Sequence, residues 1–323
     1  MVLRALRDGY CATALDLQGV RIMLDLNDFY YFVHVVDREG ISAAARALSV
    51  PKSTVSFRIQ QLEAALGTRL INRTTRQFNV TEAGRKFYGH AVLMLKQAQA
   101  AEAAVRDGQL EPGGTIRFTI AAATAQFATD KLLPTFLARY PKISLVQHVT
   151  DTSVDLVAEN FDLAIRAHSN MLPDSSLIGR ELASAPWRLF AGNPYLATHG
   201  MPSSPSQLVE HHALFMARKG VRVEWRLRDA HGAEQVIPLR PRLVSEDMLV
   251  LKSAAQQGLG IVALPAYICR EEVARGTLAP VLPDWSAGDS TLTALLPFRR
   301  GILPSVRAFV DFLLDEMPKA VVF

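Results

Sequence analysis

The side chains best suited to chemistry in this chain form a polar run after a proline. Lys52, Ser53 and Thr54 come directly after Pro51, and Ser56 lies two residues further on. Ammonium and hydroxyl groups at this spacing can hydrogen-bond to phosphate oxygens and to the edges of bases. A helix beginning here would also direct its backbone N–H groups and its positive end at an anion. The run therefore favours contact with a polyanion over catalysis.

The charge around this run is strongly positive. Between Arg46 and Lys86 the sequence has eight basic and two acidic residues, a net charge of +6, whereas the whole chain carries +4. A basic segment on a nearly neutral body indicates a polyanionic partner at one end of the molecule. The alternative is an ordinary solvated basic surface.

Motifs that support catalysis or metal binding are missing from the sequence. It has neither G-x-S-x-G nor H-E-x-x-H, and Gly258-Leu259-Gly260 lacks the rest of a dinucleotide-binding fingerprint. His211 and His212 form an isolated pair, and Cys11 and Cys269 suit neither a metal site nor a disulfide framework. We therefore expect no catalytic residues, no metal and no cofactor. The alternative to a protein that acts on a polyanion is an α/β enzyme or a cytosolic ligand-binding protein without DNA-dependent regulation.

The N-terminal residues resemble neither a secretion signal nor a membrane span. They include basic residues but no apolar core, and no run of 18 apolar residues occurs in the chain. We expect a cytoplasmic protein without membrane contact, and the missing signal disfavours a solute-binding protein for transport. Residues 1–23 differ in texture from the remainder of the chain, so we expect a poorly ordered tail.

Hydrophobic spacing predicts the helices that position the polar run. The first has apolar residues three and four apart, namely Leu26, Phe29, Tyr30, Val33 and Val36. Gly40 ends it, and Ser42 is expected to cap a second helix over Ala43–Leu48. Pro51 suits the start of a third helix, which Gly67 ends. That helix has its apolar residues at Val55, Ile59, Leu62 and Leu66.

Two further patterns lie beyond the third helix. Arg69–Ile71 and Gln77–Val80 flank a polar turn and predict a β-hairpin. Thr81 starts a long helix whose apolar residues repeat with a period of 3.5, the spacing of a two-stranded coiled coil. This seam, through which we expect dimerisation, consists of Phe87, Ala91, Met94, Ala98, Ala101 and Val105.

These elements together describe a helix-turn-helix with a wing. Its third helix, the recognition helix, would place its N-terminal residues on base edges in the major groove, and the hairpin would contact the adjacent backbone. An ordinary helical hairpin in a bundle is the alternative. We predict DNA contacts from Ser42, Lys52, Ser53, Thr54, Ser56, Phe57, Arg58, Arg73, Thr74 and Arg76.

Beyond a hinge at residues 108–114, short apolar strands alternate with helices. This alternation predicts α/β layers with largely parallel sheets. The expected strands are Thr115–Ala123, Ser144–Val149, Phe161–Ala167, Trp187–Ala191 and Gly260–Leu264. The expected helices are Gln126–Arg139, Val154–Glu159, Met248–Gln257 and Ser305–Glu316.

Residues 24–90 resemble the winged helix-turn-helix of LysR-type transcriptional regulators. The matching motifs are SAAARAL, VPKSTVSFRIQQLEAALGTRLINRTTR and VTEAG, and the resemblance extends to about residue 318 through GTIRFTIAAA, FDLAIRAH, SEDMLVLKSAAQQGLGIVALP and PSVRAFVDFL. Phe57 stands where basic or polar residues are common, and Lys52 replaces a frequent glutamine. Phe57 either contacts a thymine methyl group or simply packs. Both departures indicate a distinct operator preference, of the CrgA-like subgroup.

The resemblance implies a sequence-specific regulator of transcription, not an enzyme. It would bind double-stranded operator DNA with interrupted dyad symmetry, form dimers and tetramers, and respond to a small effector. The implied fold class is α/β, with an N-terminal α-rich winged helix-turn-helix and a C-terminal pair of Rossmann-like subdomains similar to type 2 periplasmic binding proteins. The implied domains are a DNA-binding domain at 24–80, a linker helix at 81–107, and an effector domain at 115–323. Its subdomain I covers about 115–185 and 285–318, and its subdomain II about 186–284.

The effector is expected in the cleft between these subdomains. Ligands of open α/β sheets lie beyond the carboxyl ends of the strands, and Phe215–Arg218 is expected to face the cleft. For an anionic or aromatic effector we predict contacts from Ala123, Thr124, Ala125, Gln126, Thr150, Ala167, His168, Arg218, Ser245, Asp247, Gly260 and Val262. The alternative for each residue is packing or capping at a strand end, and for His168 a solvated loop position.

Overall fold

The computed structural model describes residues 12–17, 20–73, 78–105, 111–169, 177–217, 222–297 and 302–323. The chain divides into two compact units. The first consists of residues 1–110 with the short segments 154–161 and 300–304, and the second consists of the remainder. Within the described residues, no helix has the length and apolar character needed to cross a membrane.

A pair of strands precedes the first helix. β1 (Ala12–Leu17) pairs antiparallel with β2 (Val20–Asp25). Val20, Ile22 and Leu24 occupy every second position of β2, and this alternation is typical of a strand. Met23, which lies between two of them, is also apolar. The pairing differs from the expectation of a poorly ordered tail, and residues 1–11 and 18–19 of that tail lie outside the described residues.

The three predicted helices are present: α1 (Leu26–Asp37), α2 (Ile41–Leu48) and α3 (Lys52–Leu66). The prediction that Ser42 caps α2 is wrong, because the helix starts earlier and Gly40 occupies the cap position. Gly67 ends α3 with a φ of 63°, a left-handed conformation that glycine adopts without steric cost.

The predicted hairpin is present with slightly different bounds. β3 (Ile71–Arg73) pairs antiparallel with β4 (Phe78–Val80), and residues 74–77 between them lie outside the described residues. α4 (Glu82–Val105) comes next, and the hydroxyl of Thr81 accepts the N–H of Gly84 at 2.9 Å in its first turn.

One hydrophobic core joins α1, α2, α3, the hairpin and the start of α4. Val55, Ile59 and Leu62 of α3 are buried in it, as their spacing predicted. Ala44 and Ala45 of α2 are also buried, and their small side chains allow α2 to approach its neighbours closely. This core fixes which face of α3 is left exposed.

The second unit contains a nine-stranded sheet and a three-stranded sheet. The large sheet is formed by β5 (Gly114–Ile120), β6 (Ile143–Val149), β7 (Leu163–His168), β8 (Ile178–Gly192), β9 (Ala213–Met216), β12 (Pro241–Ser245), β13 (Ile261–Pro265), β14 (Leu278–Val281) and β16 (Asp289–Leu296). Its order is β12-β9-β13-β8-β16-β7-β5-β6, with β14 also paired to β8. The small sheet has the order β11 (Glu234–Pro238), β10 (Glu224–Asp229), β15 (Trp285–Ser286).

The large sheet consists of two parallel groups joined by antiparallel strands. β5 pairs in parallel with β6 and β7, and β9 pairs in parallel with β12 and β13. β8 and β16 run antiparallel to each other. β8 is also antiparallel to β13, and β16 is also antiparallel to β7. The prediction of largely parallel sheets is correct within each group and wrong at the join, because β8 and β16 carry the chain between the two subdomains.

The helices of this unit are α5 (Ala122–Phe127), α6 (Leu132–Arg139), α7 (Asn193–His199), α8 (Met248–Gln256), α9 (Arg270–Ala274) and α10 (Pro304–Ala320). The prediction of one helix over Gln126–Arg139 is wrong. The hydroxyl of Thr129 donates to the carbonyl of Ala125 at 3.0 Å, and the chain turns there before α6 begins. The strand predicted to reach Ala123 ends at Ile120, since α5 starts earlier than expected.

The helix predicted over Val154–Glu159 is also wrong, because this segment forms only turns. The carboxylate of Asp155 accepts the N–H groups of Val157 and Ala158 at 2.9 and 3.0 Å. Asn160 then adopts a φ of 60°, which prevents continuation as a right-handed helix.

Candidate DNA-binding and effector sites

The exposed face of α3 carries most of the side chains that the sequence predicts to contact DNA. Val55 and Ile59 anchor the opposite face in the core. The side chain of Phe57 is 56% exposed, which is unusual for a large aromatic residue without a partner. The exposed or half-buried residues of this face are Lys52, Ser53, Thr54, Ser56 and Phe57.

The N-terminus of α3 is suited to an anion. Pro51 at the cap position offers no side-chain acceptor, and its carbonyl accepts the N–H of Thr54 at 3.0 Å. The first N–H groups of a helix have no partner inside the helix, and the helix dipole adds positive potential there. Lys52 brings a full positive charge to the same turn. Ser42 is exposed on the first turn of α2 and is likewise open to contact.

Arg58 is placed differently from the other residues of this set. Its guanidinium lies 2.6 Å from a carboxylate oxygen of Asp25 and 3.3 Å from one of Asp28. Burial raises the pKa of Asp28 despite the neighbouring arginine. The side chain is therefore engaged within the protein, with partners that no local sequence pattern indicates.

The wing residues are only partly described. Arg73 is the last residue of β3, opposite Phe78, and nothing is described of its side chain. Thr74 and Arg76 lie outside the described residues. Their contacts with the DNA backbone stay predictions.

The predicted coiled-coil seam begins inside the N-terminal core. The ring of Phe87 lies 4.8 Å from that of Phe29, between ring centres, and Ala91 is fully buried. Further along α4, Met94 is 42% exposed and Ala98 is exposed. Ala101 and Val105 belong to α4, but their side chains are not described. The exposed seam therefore starts near Met94, because the first turns of α4 complete the DNA-binding core.

A carboxylate of the protein itself occupies the start of α5. Asp151, just after β6, accepts the N–H of Ala122 at 3.0 Å. The next four residues, Ala123–Gln126, are those at which the sequence predicts effector contacts. Ala123 and Ala125 are half-buried, and Gln126 is exposed.

Thr124 does not line an open cleft. It is 1% exposed, and its hydroxyl lies near the side chain of Tyr267, which follows β13. Burial raises the pKa of Tyr267, and the nearby hydroxyl of Thr124 opposes this effect. This contact ties α5 to the segment after β13, so Thr124 fits the packing alternative.

Arg166 is a polar residue at the strand ends that sequence reasoning missed. It lies in β7, and its guanidinium donates to the carbonyls of Thr150 and Thr152 and to the hydroxyl of Thr119 at 2.9–3.3 Å. Burial lowers its pKa, and the nearby carboxylate of Asp151 opposes this effect. The signal in the sequence was an arginine directly after the apolar run Leu163–Ile165 of β7. Arg166 holds the loop of the predicted contact Thr150 against β5 and β7.

The end of β7 carries two further predicted contacts. Ala167 is exposed. His168 is half-buried, and its Nε2 lies 2.8 Å from the hydroxyl of Thr293 on β16. His168 is therefore part of the sheet, which differs from the solvated loop position considered for it.

The predicted contacts from subdomain II mostly serve the fold. Asp247 caps α8, where its carboxylate accepts the N–H of Leu249 at 2.7 Å, and the hydroxyl of Ser245 accepts the N–H of Asp247 at 3.1 Å. Val262 is fully buried in a core with Phe190 and Leu214. A Cβ atom at Gly260 would lie 2.5 Å from the carbonyl oxygen of His212, so glycine is needed there for packing. Arg218 lies outside the described residues.

A cavity of about 920 Å³ lies beside these residues rather than among them. Ser169 after β7 contributes one wall, and Phe215 and Met216 at the end of β9 contribute another. Trp187 and Trp225 supply aromatic surface, and Arg188 and Arg226 supply cationic groups. The lining combines six apolar residues with eight charged ones, so a ligand here would need charged or polar groups as well as an apolar part.

The histidine pair is explained by packing. The hydroxyl of Tyr195 lies 3.1 Å from Nδ1 of His211 and accepts the N–H of His212 at 2.8 Å. The ring of His199 stacks on Tyr195, with 4.2 Å between ring centres. The polar groups of this cluster thus form hydrogen bonds with each other, and its rings pack together.

Both parts of the chain match known families. Residues 26–85 match the family described as bacterial regulatory helix-turn-helix protein, lysR family, and residues 109–318 match the LysR substrate binding domain. An HTH-type transcriptional regulator of Xanthomonas campestris pv. campestris (strain 8004) is 35% identical over 91% of this chain and 86% of its own length. The regulator CrgA of Neisseria meningitidis serogroup C (strain 8013) is 32% identical over 88% of this chain and 95% of its own.

Solved structures agree with these relatives. The structure of CrgA, a LysR-type transcriptional regulator from Neisseria meningitidis, superposes with a TM-score of 0.57 at 30% identity. The match covers 90% of this chain and 98% of that one. The resemblance seen in the sequence therefore extends to the three-dimensional structure.

Proposed function

This chain belongs to the LysR family of transcriptional regulators, and from that premise we propose how it reads DNA and where it receives its signal. Members of the family bind DNA, bind effectors and form oligomers. We propose an operator with interrupted dyad symmetry, to which two winged helix-turn-helix domains bind with their α3 helices in successive major grooves. The domain bounds expected from the sequence belong to this proposal.

The exposed face of α3 carries this proposal. Ser53, Thr54 and Phe57 would contact base edges, with the Phe57 ring against a thymine methyl group. Lys52 and the helix N-terminus would bind phosphate, as would Ser42. In the wing we assign the same backbone role to Arg73, Thr74 and Arg76.

The proposed division of labour can be tested by measuring the salt dependence of binding. Each lost phosphate contact should reduce the slope of log K against log salt by about 0.9. We expect this reduction for Lys52→Met on random-sequence duplex DNA. Phe57→Ala should leave the slope unchanged and alter the sequences that the protein selects from a random library. The same slope loss for Lys142→Met, an exposed lysine of the second unit, would contradict the assignment.

We propose that the dimer forms through α4 from Met94 onwards and that dimers pair into tetramers. The large sheet supports the second contact, because its two edge strands have no further strand beside them among the described residues. Val146 and Val149 on β6 are exposed, as is Val244 on β12. An antiparallel pair of effector domains would bring edge β6 of one protomer beside edge β12 of its partner and cover these valines.

We propose that the effector occupies the cavity bounded by Ser169, Phe215 and Trp225. Its aromatic surface suits a planar ring, and Arg188 suits an anionic group, since no carboxylate of the described residues forms an ion pair with it. An aromatic carboxylate combines both features. We prefer this position to the strand ends around Thr124, because Thr124 is 1% exposed.

We propose no catalytic step for this chain and place its action in the cytoplasm, where the DNA is. The Tyr195–His211 contact resembles a base beside a nucleophile. The hydroxyl already accepts a backbone N–H, however, and the surrounding rings are packed around it. A packed core cluster explains this arrangement without a substrate.

A further inference from the structure

Arg58 joins the recognition helix to the start of α1 through two carboxylates. Its Nη1 lies 2.6 Å from Oδ2 of Asp25 and 3.3 Å from Oδ1 of Asp28. Asp25 is also the cap of α1, where it accepts the N–H of Asn27 at 2.9 Å. One oxygen of Asp25 thus fixes α1 while the other binds α3.

The three residues of this contact, which we call the clamp, are partly removed from water. Asp28 is 5% exposed, and about a third of the Arg58 side chain is exposed. A partly buried ion pair is stronger and less screened by salt than one on the surface. Two carboxylates more than neutralise one guanidinium, so little positive charge is left for a phosphate.

The clamp lies next to the residues that read DNA. Arg58 directly succeeds the exposed Phe57 and is five residues from Ser53, which is about 7 Å along a helix axis. A rotation of α3 by about 10° at Arg58 would move Ser53 by about 1 Å. Hydrogen bonds to base edges tolerate only a few tenths of an ångström, so a small change at the clamp changes which bases fit.

We propose that Asp25, Asp28 and Arg58 fix the tilt of α3 and thereby determine operator preference without touching DNA. The three are positioning residues, and Arg58 is removed from the set of DNA contacts predicted from the sequence. The inference rests on DNA binding by α3, which Lys52→Met tests separately.

The experiment compares full-length variants on two probes: duplexes selected by the wild-type protein from a random library, and random-sequence duplex of equal length. The double variant Arg58→Met/Asp28→Asn removes the clamp without leaving a buried charge unpaired. We expect its salt slope on random duplex to equal that of the wild type, because no phosphate contact is lost. Its preference for selected over random duplex should fall at least about tenfold, the value of one good base contact.

Two further variants complete the test. Asp25→Asn alters a carboxylate that is 42% exposed and keeps a side chain able to cap α1. It should lower the same preference about threefold, and it serves if the double variant does not fold. Arg58→Lys keeps the charge without the planar fork and should give an intermediate preference. Lys52→Met is the matched control, in which we expect a reduced slope of log K against log salt.

The salt slope and the preference each provide a way to overturn the proposal. A slope reduced by about 0.9 in the double variant would make Arg58 a phosphate contact. A preference that is unchanged in both the double variant and Asp25→Asn would show that the clamp only stabilises the domain. A third outcome is a reduced salt slope in Lys52→Met with an unchanged sequence preference in the clamp variants. This result would support DNA binding by α3 and refute only the role of the clamp.

Discussion

The ammonium group of Lys252 lies 2.6 Å from the carboxylate of Glu272, and both side chains are buried. Lys252 also donates to the carbonyl of Ile268 at 3.1 Å and lies 4.2 Å from the centre of the Phe127 ring. The second carboxylate oxygen of Glu272 has no hydrogen-bond partner among the described residues. The pair therefore connects α8 and α9 to the end of α5.

Removing one partner of this pair should destabilise the second unit. Lys252→Met leaves a buried carboxylate unpaired, and we expect a loss of about 3–5 kcal/mol in the free energy of unfolding. The double variant Lys252→Met/Glu272→Leu should recover most of it, because no buried charge remains. Urea unfolding followed by circular dichroism measures both. Lys86→Met is the control, since its ion pair with Glu82 is exposed and its loss should change the unfolding free energy little.

Thr124 should respond to substitution as a core residue. Thr124→Val removes the buried hydroxyl next to Tyr267 at nearly constant volume and should change the unfolding free energy by no more than about 1 kcal/mol. Thr124→Trp overpacks a site that is 1% exposed and should cost at least about 1–3 kcal/mol. Thermal unfolding of the full chain is the measurement. A stable Thr124→Trp protein with its effector response abolished would restore the original cleft.

Charges in the exposed part of the α4 seam should separate the protomers. Met94→Glu/Ala98→Glu would place like charges against each other in a dimer. We expect the mass measured by light scattering to fall while the melting temperature of the DNA-binding domain changes little. Ala91→Glu is the contrasting variant, because Ala91 is buried in that domain, and it should lower the melting temperature. An unchanged mass in the double variant would place the dimer contact elsewhere.

The cavity makes a specific prediction about ligands. Benzoate and larger aromatic carboxylates should quench the fluorescence of Trp187 or Trp225, and Arg188→Met should weaken their binding about tenfold or more by removing a charge-assisted hydrogen bond. The uncharged amides of the same acids should lose less affinity in this variant. Gln126→Ala in α5 is the control, and it should leave the affinity for these acids unchanged. Equal weakening of acids and amides would argue against an anion contact at Arg188.

Acid should destabilise the second unit through His211. Burial lowers the pKa of His211 below its ordinary value of 6.5, and the nearby His199 and His212 add to this effect against Glu210. The unfolded state therefore takes up the proton first. The contribution of the neutral His211 to the free energy of unfolding is fully present above about pH 6.5. It is lost as the pH falls towards the pKa that His211 has in the folded protein. In urea unfolding from pH 8 to 5, His211→Gln should show a shallower decline than the wild type, whatever its stability at pH 8.

Local periodicity accounts for the parts of the structure that the sequence predicted well. The spacing of Val55, Ile59 and Leu62 identified the buried face of α3, because neighbours on one helix face are set by the helix itself. The same logic located the exposed run at Lys52. Apolar segments likewise located β6, β7 and β13, since a short run of apolar and β-branched residues indicates a strand without knowledge of its partners.

Long-range partners account for the failures. Sequence reasoning assigns Arg58 to DNA because Asp25 lies 33 positions away in the chain, and no local pattern links them. It assigns Thr124 to a cleft because the partner Tyr267 lies in the other subdomain. Phe87 and Ala91 fit the coiled-coil period and the domain core equally well, because a helix face does not state which neighbour covers it.

The crossing strands of the large sheet limit how a signal can travel. β8 and β16 are hydrogen-bonded along eight matched positions, and one extra residue, Leu182, interrupts their register between Leu292 and Thr293. A connection of this kind bends and twists elastically instead of swinging like a loop. Bulges concentrate such twist, so the response of the molecule to its effector would be graded by the stiffness of a two-stranded ribbon, with Leu182 as its most compliant point.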